Sequence, residues 1–192
     1  MEQLRQAIGQ MIKATPTEIE QFLAKCTSAI HKRKAILSQA DAIPNEVFFI
    51  EHGIIRVCLT DITGIEHTIH FALENQFICD YSAFLRQEPS LYSLETLEET
   101  QLVTIPRAAI DWGYANLTEG DRLGRFIAEF YFIYQDNRIK NQYIRTPKER
   151  YDTITEVFPD IHNRAPQHMI ASYLGISPVH LSRLKKESYR KT

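Results

Sequence analysis

The spacing of apolar residues along the 192-residue chain changes twice, from helical to strand-like and back to helical. Near the N-terminus Ile19, Phe22 and Leu23 share one helical face. They follow Thr15-Pro16-Thr17-Glu18, a capping box with proline at the first helical position. Helix is expected from Met1 to about Lys32. From Lys34 to about Ile110 the pattern becomes short apolar segments between turn residues. Ala35-Ile36-Leu37, Val47 to Ile50, Ile54 to Leu59, Thr68 to Ala72, Leu94 to Leu97 and Gln101 to Ile105 are the expected strands. Asp61-Ile62-Thr63-Gly64 reads as a hairpin turn, and so many short strands argue for a small antiparallel sandwich or roll.

Beyond Trp112-Gly113 the helical period returns, with Thr118 and Asp121 expected to cap a long helix. Leu123, Phe126, Ile127, Phe130, Ile133 and Tyr134 follow at three-and-four spacing. The stretch from Phe126 to Tyr134 is apolar nearly all round, so it needs cover on two sides. The roll would supply one cover and a second copy of the helix the other, the alternative being the core helix of a monomer. These six residues are therefore the expected homodimer interface.

Thr146-Pro147-Lys148-Glu149 is a second capping box, and its helix should end before Pro159. The next two short helices, Pro166 to Leu174 and Pro178 to about Lys186, are joined by a turn at Gly175. Ile170, Leu174, Ile176, Leu181 and Leu184 hold two crossed helices together, and Ala171 is small where they pass closely. Gly175 accepts the left-handed turn conformation, and Ser177 caps the second helix ahead of Pro178. Together these choices specify a helix-turn-helix. Val179, His180, Ser182 and Arg183 would then face base edges, with Arg183 the best guanine reader. Gln167, Lys185 and Lys186, with Arg190 and Lys191, suit phosphates, and Ser177 completes the expected DNA-binding set.

Composition adds less. The chain is 44% hydrophobic and 24% charged, ordinary for a globular protein. No apolar stretch approaches the length of a membrane helix and no signal peptide opens the chain, so a cytoplasmic protein without a membrane partner is expected. Three widely spaced cysteines, Cys26, Cys58 and Cys79, suggest buried thiols rather than disulfides or a metal centre. His67 and His70 lie three apart on a strand and so point to opposite faces, and no metal site or catalytic residue is expected. The formal charge of -2 hides a division. From Asn141 onward nine basic residues outnumber five acidic ones, while the preceding segment is acidic. That distribution fits a nucleic-acid-binding end on an acidic partner domain.

The order of parts, with Thr146-Pro147-Lys148-Glu149-Arg150-Tyr151 opening the last segment, resembles the cyclic-AMP receptor protein and Fnr (Crp/Fnr) family of transcription regulators. The resemblance implies an α+β fold in three parts. Residues 1–116 would form a cyclic-nucleotide-binding-like jelly roll with N-terminal helices, 117–145 a dimerisation helix and hinge, and 146–192 the helix-turn-helix domain. It further implies a homodimer on a two-fold symmetric double-stranded DNA site, with RNA polymerase as a further partner.

Two departures from the family pattern stand out. In cyclic-nucleotide binders Gly-Glu-Leu opens a short helix and an Arg-Ser pair follows about ten residues later. Here Cys79 replaces the glycine, Asp80 the glutamate and Ser90-Leu91 the Arg-Ser pair, so the phosphate-neutralising cation is missing. Arg86 is the nearest stand-in. No cofactor is expected and no cyclic AMP binding of the usual kind. Another small ligand remains open, around Asp80, Tyr81, Ser82, Ala83, Arg86, Ser90 and Leu91, with Tyr131 and Tyr134 from the long helix. In the second helix of the C-terminal pair, Pro178 and Val179 stand where relatives place Arg-Glu, while Arg183 matches their second arginine. The alternative is a jelly-roll protein-interaction or small-ligand module that has lost specific DNA binding.

Overall fold

The computed structural model describes residues 1–189 and is α+β. Two N-terminal helices, α1 (Glu2–Met11) and α2 (Pro16–Leu23), precede a roll of eight strands. The strands are β1 (Thr27–His31), β2 (Ile36–Ser38), β3 (Glu46–His52), β4 (Ile55–Thr60), β5 (Glu66–Ala72), β6 (Phe77–Ile78), β7 (Ser93–Thr96) and β8 (Thr100–Pro106). Helix α3 (Tyr81–Arg86) interrupts them, and α4 (Arg107–Asn116) and the long α5 (Gly120–Ile144) follow. The chain then forms α6 (Pro147–Val157), α7 (Ile161–Arg164), α8 (Gln167–Leu174) and α9 (Pro178–Tyr189). No described helix is long and apolar enough to cross a membrane.

The strands form two four-stranded antiparallel sheets, ordered β1-β8-β3-β6 and β2-β7-β4-β5. Strand β3 explains why the sequence from Val47 to Ile50 is apolar without a break. Phe48 and Ile50 point between the sheets, where they meet Ile55, Val57, Leu94 and Leu102. Val47 and Phe49 point outward under α1, α2 and α5, against Leu4, Ile8 and Phe22. A strand covered on both faces loses its polar alternation. Gly53, between β3 and β4, has φ +107°, and a Cβ there would come within 2.8 Å of the Thr100 backbone.

Three elements depart from the sequence-based expectations. Thr27–His31 is a strand rather than helix, paired with β8 from Thr27↔Thr104 to His31↔Thr100. Its residues are mostly exposed, so no apolar alternation marked it. Phe77–Ile78 adds a two-residue strand beside β3. Arg107–Asn116 is helix rather than the end of the strand region. Its packing face is made of small residues: a Cβ on Gly113 would lie 3.1 Å from the Phe22 ring. The cap of α5 also differs. Glu119, with φ 63°, is its N-cap, while the Thr118 hydroxyl donates instead to Glu18 at 2.8 Å. With the Thr15 amide also bonded to it, the Glu18 carboxyl is held down at about 2.

The C-terminal helices share a third core with the roll. Ile154, Phe158, Ile161, Ile170, Leu174 and Leu181 pack on one another and on Ile54, Phe71, Leu73 and Leu97.

Candidate functional sites

The capping box at Thr146 forms as the sequence predicts: its side chain accepts from the Glu149 amide, and the Glu149 carboxylate accepts from the Thr146 amide. Helix α8 ends at Gly175, with φ +68°, and the Ile176 amide closes the turn on the Ala171 carbonyl at 3.0 Å. The Ser177 hydroxyl accepts from the His180 amide at 3.2 Å, capping α9. Leu181 and Leu184 face α8 and the core. The opposite face of α9 therefore carries Val179, Ser182, Arg183 and Lys186. Val179, Arg183 and Lys186 are exposed, and Ser182, His180 and Lys185 are half-buried beside them. Gln167 is exposed at the first turn of α8. Among the described residues neither Arg183 nor Lys186 makes an ion pair. Arg190 and Lys191 lie outside the described residues.

The inner side of this helical pair is fixed to the roll. The Thr68 amide donates to Ser172 at 2.9 Å. Arg164 reaches Glu74 at 2.7 Å and Glu98 at 2.5 Å, and both carboxylates raise its pKa against the lowering effect of burial. The buried His70 ring shares a 2.6 Å hydrogen bond with the Tyr134 hydroxyl, which lies 3.1 Å from that of Tyr173. Burial, assisted by the Arg138 charge, pushes the His70 pKa down to about 3, so its imidazole is neutral. No short motif announces these contacts, because Arg164 and Glu74 are 90 residues apart. His67, by contrast, sits near the hairpin tip and bonds Asp61 at 2.7 Å.

In the roll, Asp80 caps α3, accepting from the Ala83 amide at 3.2 Å and from the buried Ser90 hydroxyl at 2.8 Å. Ser90 in turn accepts from the Tyr92 amide at 2.9 Å. Asp80 and Ser90, which the resemblance set at ligand-binding positions, thus satisfy each other. Ser82, Arg86 and Leu91 are exposed, and Arg86 pairs with Glu88 at 3.2 Å. Arg56 is buried, but strand alternation turns it away from the interior face of Val57, and Glu66 and Glu95 hold it at 2.8 Å each. Tyr131 donates to the Phe77 carbonyl, and Tyr134 is engaged by His70. Behind α3, on the helical side, an apolar cavity of about 50 Å³ touches Cys79, Tyr81, Phe84 and Tyr131. The expected pocket residues are therefore dispersed, because the cassette closes on itself.

Helix α5 has an inward and an outward side. Leu123, Ile127 and Tyr134, expected at a dimer interface, instead pack against this chain's own roll and C-terminal helices. Phe130 and Ile133 are exposed, at 52% and 58%, and Phe126 is half-buried. Asn137, Lys140 and the exposed Ile144 continue their line at alternating four- and three-residue steps.

This architecture, a nucleotide-binding-type roll joined by a long helix to a basic helical end, defines a class. Residues 29–115 match the cyclic nucleotide-binding domain family. FixK2 from Bradyrhizobium japonicum superposes with a TM-score of 0.73 at 12% identity, over 86% of this chain and 85% of that one. The c-di-GMP responsive global regulator CLP from Xanthomonas campestris gives 0.71 at 12% identity, over 92% and 93%. A protein described as a crp/fnr family transcriptional regulator from Eubacterium rectale gives 0.71 at 13%, over 93% and 85%. At these identities the likeness is one of fold. No curated protein matches the chain by sequence.

Proposed function

We propose that this protein is a sequence-specific DNA-binding transcription regulator acting as a homodimer. The observation that carries the reading is the outward face of α9, where Arg183 and Lys186 stand exposed, with no ion-pair partner among the described residues, on a helix fixed by Ser177, Gly175 and the core. A rigid helix presenting unneutralised cations suits the major groove, with its first turn at the base edges. In this reading residues 1–116 form the roll domain, 117–145 the dimerisation helix and hinge, and 146–192 the helix-turn-helix domain.

The dimer follows from α5. Phe126, Phe130, Ile133, Asn137, Lys140 and Ile144 form a coiled-coil seam, half-covered at Phe126 and exposed from Phe130 onward. A polar Asn137 within such a seam favours one register. The seam brings two copies of α9 onto half-sites about one helical turn apart.

Selection from random DNA followed by fluorescence anisotropy tests this. A two-fold symmetric site should emerge, with affinity falling steeply as salt rises. Lys186→Ala should lower the slope of log affinity against log salt by about one. Arg183→Ala should cost roughly tenfold to a hundredfold on the selected site and abolish preference at one base pair. Failure to retain any preferred sequence at any salt would leave only the interaction-module reading.

A further inference from the structure

Val179 is 64% exposed on the first turn of α9's outward face, one turn before the cationic Arg183 and two before Lys186. It is the one apolar side chain on that face among the described residues. Its backbone is fixed: Ser177 caps the helix two residues earlier, and Leu181, two residues later, is buried at 1% exposure. A branched side chain on a rigid first turn has little rotamer freedom to lose on contact. Leu181 and Leu184 hold α9 to the core, whereas most of the Val179 side chain stays in solvent.

We infer that Val179 reads a thymine through its C5-methyl group, within two base pairs of the guanine read by Arg183. The inference rests on the regulator reading above. Val179 has no polar atom, so it cannot bond to the donors and acceptors of a base edge. The thymine methyl is the apolar group that the major groove displays. Pressing valine against that methyl removes both from water, whereas a cytosine or guanine edge would lose hydration with nothing in return. Residues four apart on a helix have side chains about 5–6 Å apart, and base pairs stack every 3.4 Å or so. Val179 and Arg183 therefore address the same or nearby base pairs. The first turn of α9 is thus a mixed reader, with one contact made by hydrogen bonds and one by apolar burial.

The test uses the full chain and the sites selected from random DNA. The guanine of Arg183 is the position whose preference disappears in Arg183→Ala. A thymine should be enriched within two base pairs of it. Replacing that thymine by deoxyuridine removes only the methyl, and should weaken wild-type binding about three- to tenfold. Deoxyuridine at a thymine elsewhere in the site should have no effect. Val179→Ala should bind the two duplexes equally, and Val179→Thr, which keeps one methyl, should discriminate partially. Equal wild-type affinity for both duplexes, or no thymine enriched near that guanine, would overturn the inference while leaving the regulator reading intact. Failure to select any DNA sequence would overturn both.

Discussion

Two regions of this molecule, the Asp80–Ser90 segment of the roll and the outward face of α9, hold their polar side chains in opposite states. In the roll, Asp80 and Ser90 bond to each other and to the backbone, and Arg86 turns out to Glu88. On α9, Arg183 and Lys186 have no ion-pair partner among the described residues and point to solvent. Both regions keep their backbone framework: α3 is capped as a short helix, and α8 turns into α9 through Gly175. The difference lies in which polar groups are left unsatisfied. A fold can be retained for its core while the chemistry of a site is withdrawn, because packing and ligand recognition draw on different residues. The roll's framework rests on buried residues such as Phe48, Ile50 and Leu102, none of which would touch an anion.

The largest effect should come from separating the copies. Phe130→Asp with Ile133→Asp places two charges on the uncovered seam of α5, and should convert a dimer to a monomer in sedimentation. Losing the second half-site should weaken DNA binding about a hundredfold or more. Because neither residue belongs to the cassette, the melting temperature of the roll should change little. A stable dimer in the double variant would place the interface elsewhere.

Asp80→Ala acts on the other side of the comparison. Removing the α3 cap and the partner of Ser90 should cost about 1–2 kcal/mol of stability in urea unfolding, with DNA affinity unchanged. Calorimetric titration of the wild-type protein with cyclic AMP should show no micromolar binding, since a buried phosphate beside Asp80 would find no cation. A micromolar affinity would show that the cassette is not withdrawn.

The smallest effect concerns the joint between the two regions. His70 titrates near 3 in the folded protein against an ordinary value of 6.5. Between those values the unfolded chain binds a proton that the folded one refuses. The contribution is neutral above about pH 6.5 and becomes destabilising as pH falls below it, by about 1 kcal/mol per unit. Urea unfolding at pH 7 and pH 5.5 should show this loss in the wild type and a smaller one in His70→Gln. An equal loss in both would assign the acid sensitivity to other groups.

Much of this was legible in the sequence because it is local. Thr15 and Thr146 announce their helices through capping boxes that need only four consecutive residues, and Gly175 marks its turn by its own conformational freedom. The apolar face of α9 followed from spacing, so its outward residues did too. The missing cation of the cassette could be read as an absence at known positions. Strand β1 was not legible, since its exposed residues carry no period and its pairing with β8 spans 69 to 77 positions of sequence. Nor was α4, whose packing depends on Gly113 meeting Phe22.

By itself, the sequence determined the local framework: caps, turns, the strand-rich middle, the long apolar helix and the basic end. Tertiary structure alone decided which faces are used up. It turned Leu123, Ile127 and Tyr134 inward and left Phe130 and Ile133 outside, closed Asp80 on Ser90, and tied Arg164 to Glu74 and Glu98. The reason is physical. Helical or strand period depends on neighbours within a turn or two, whereas burial and pairing depend on which distant segment arrives opposite.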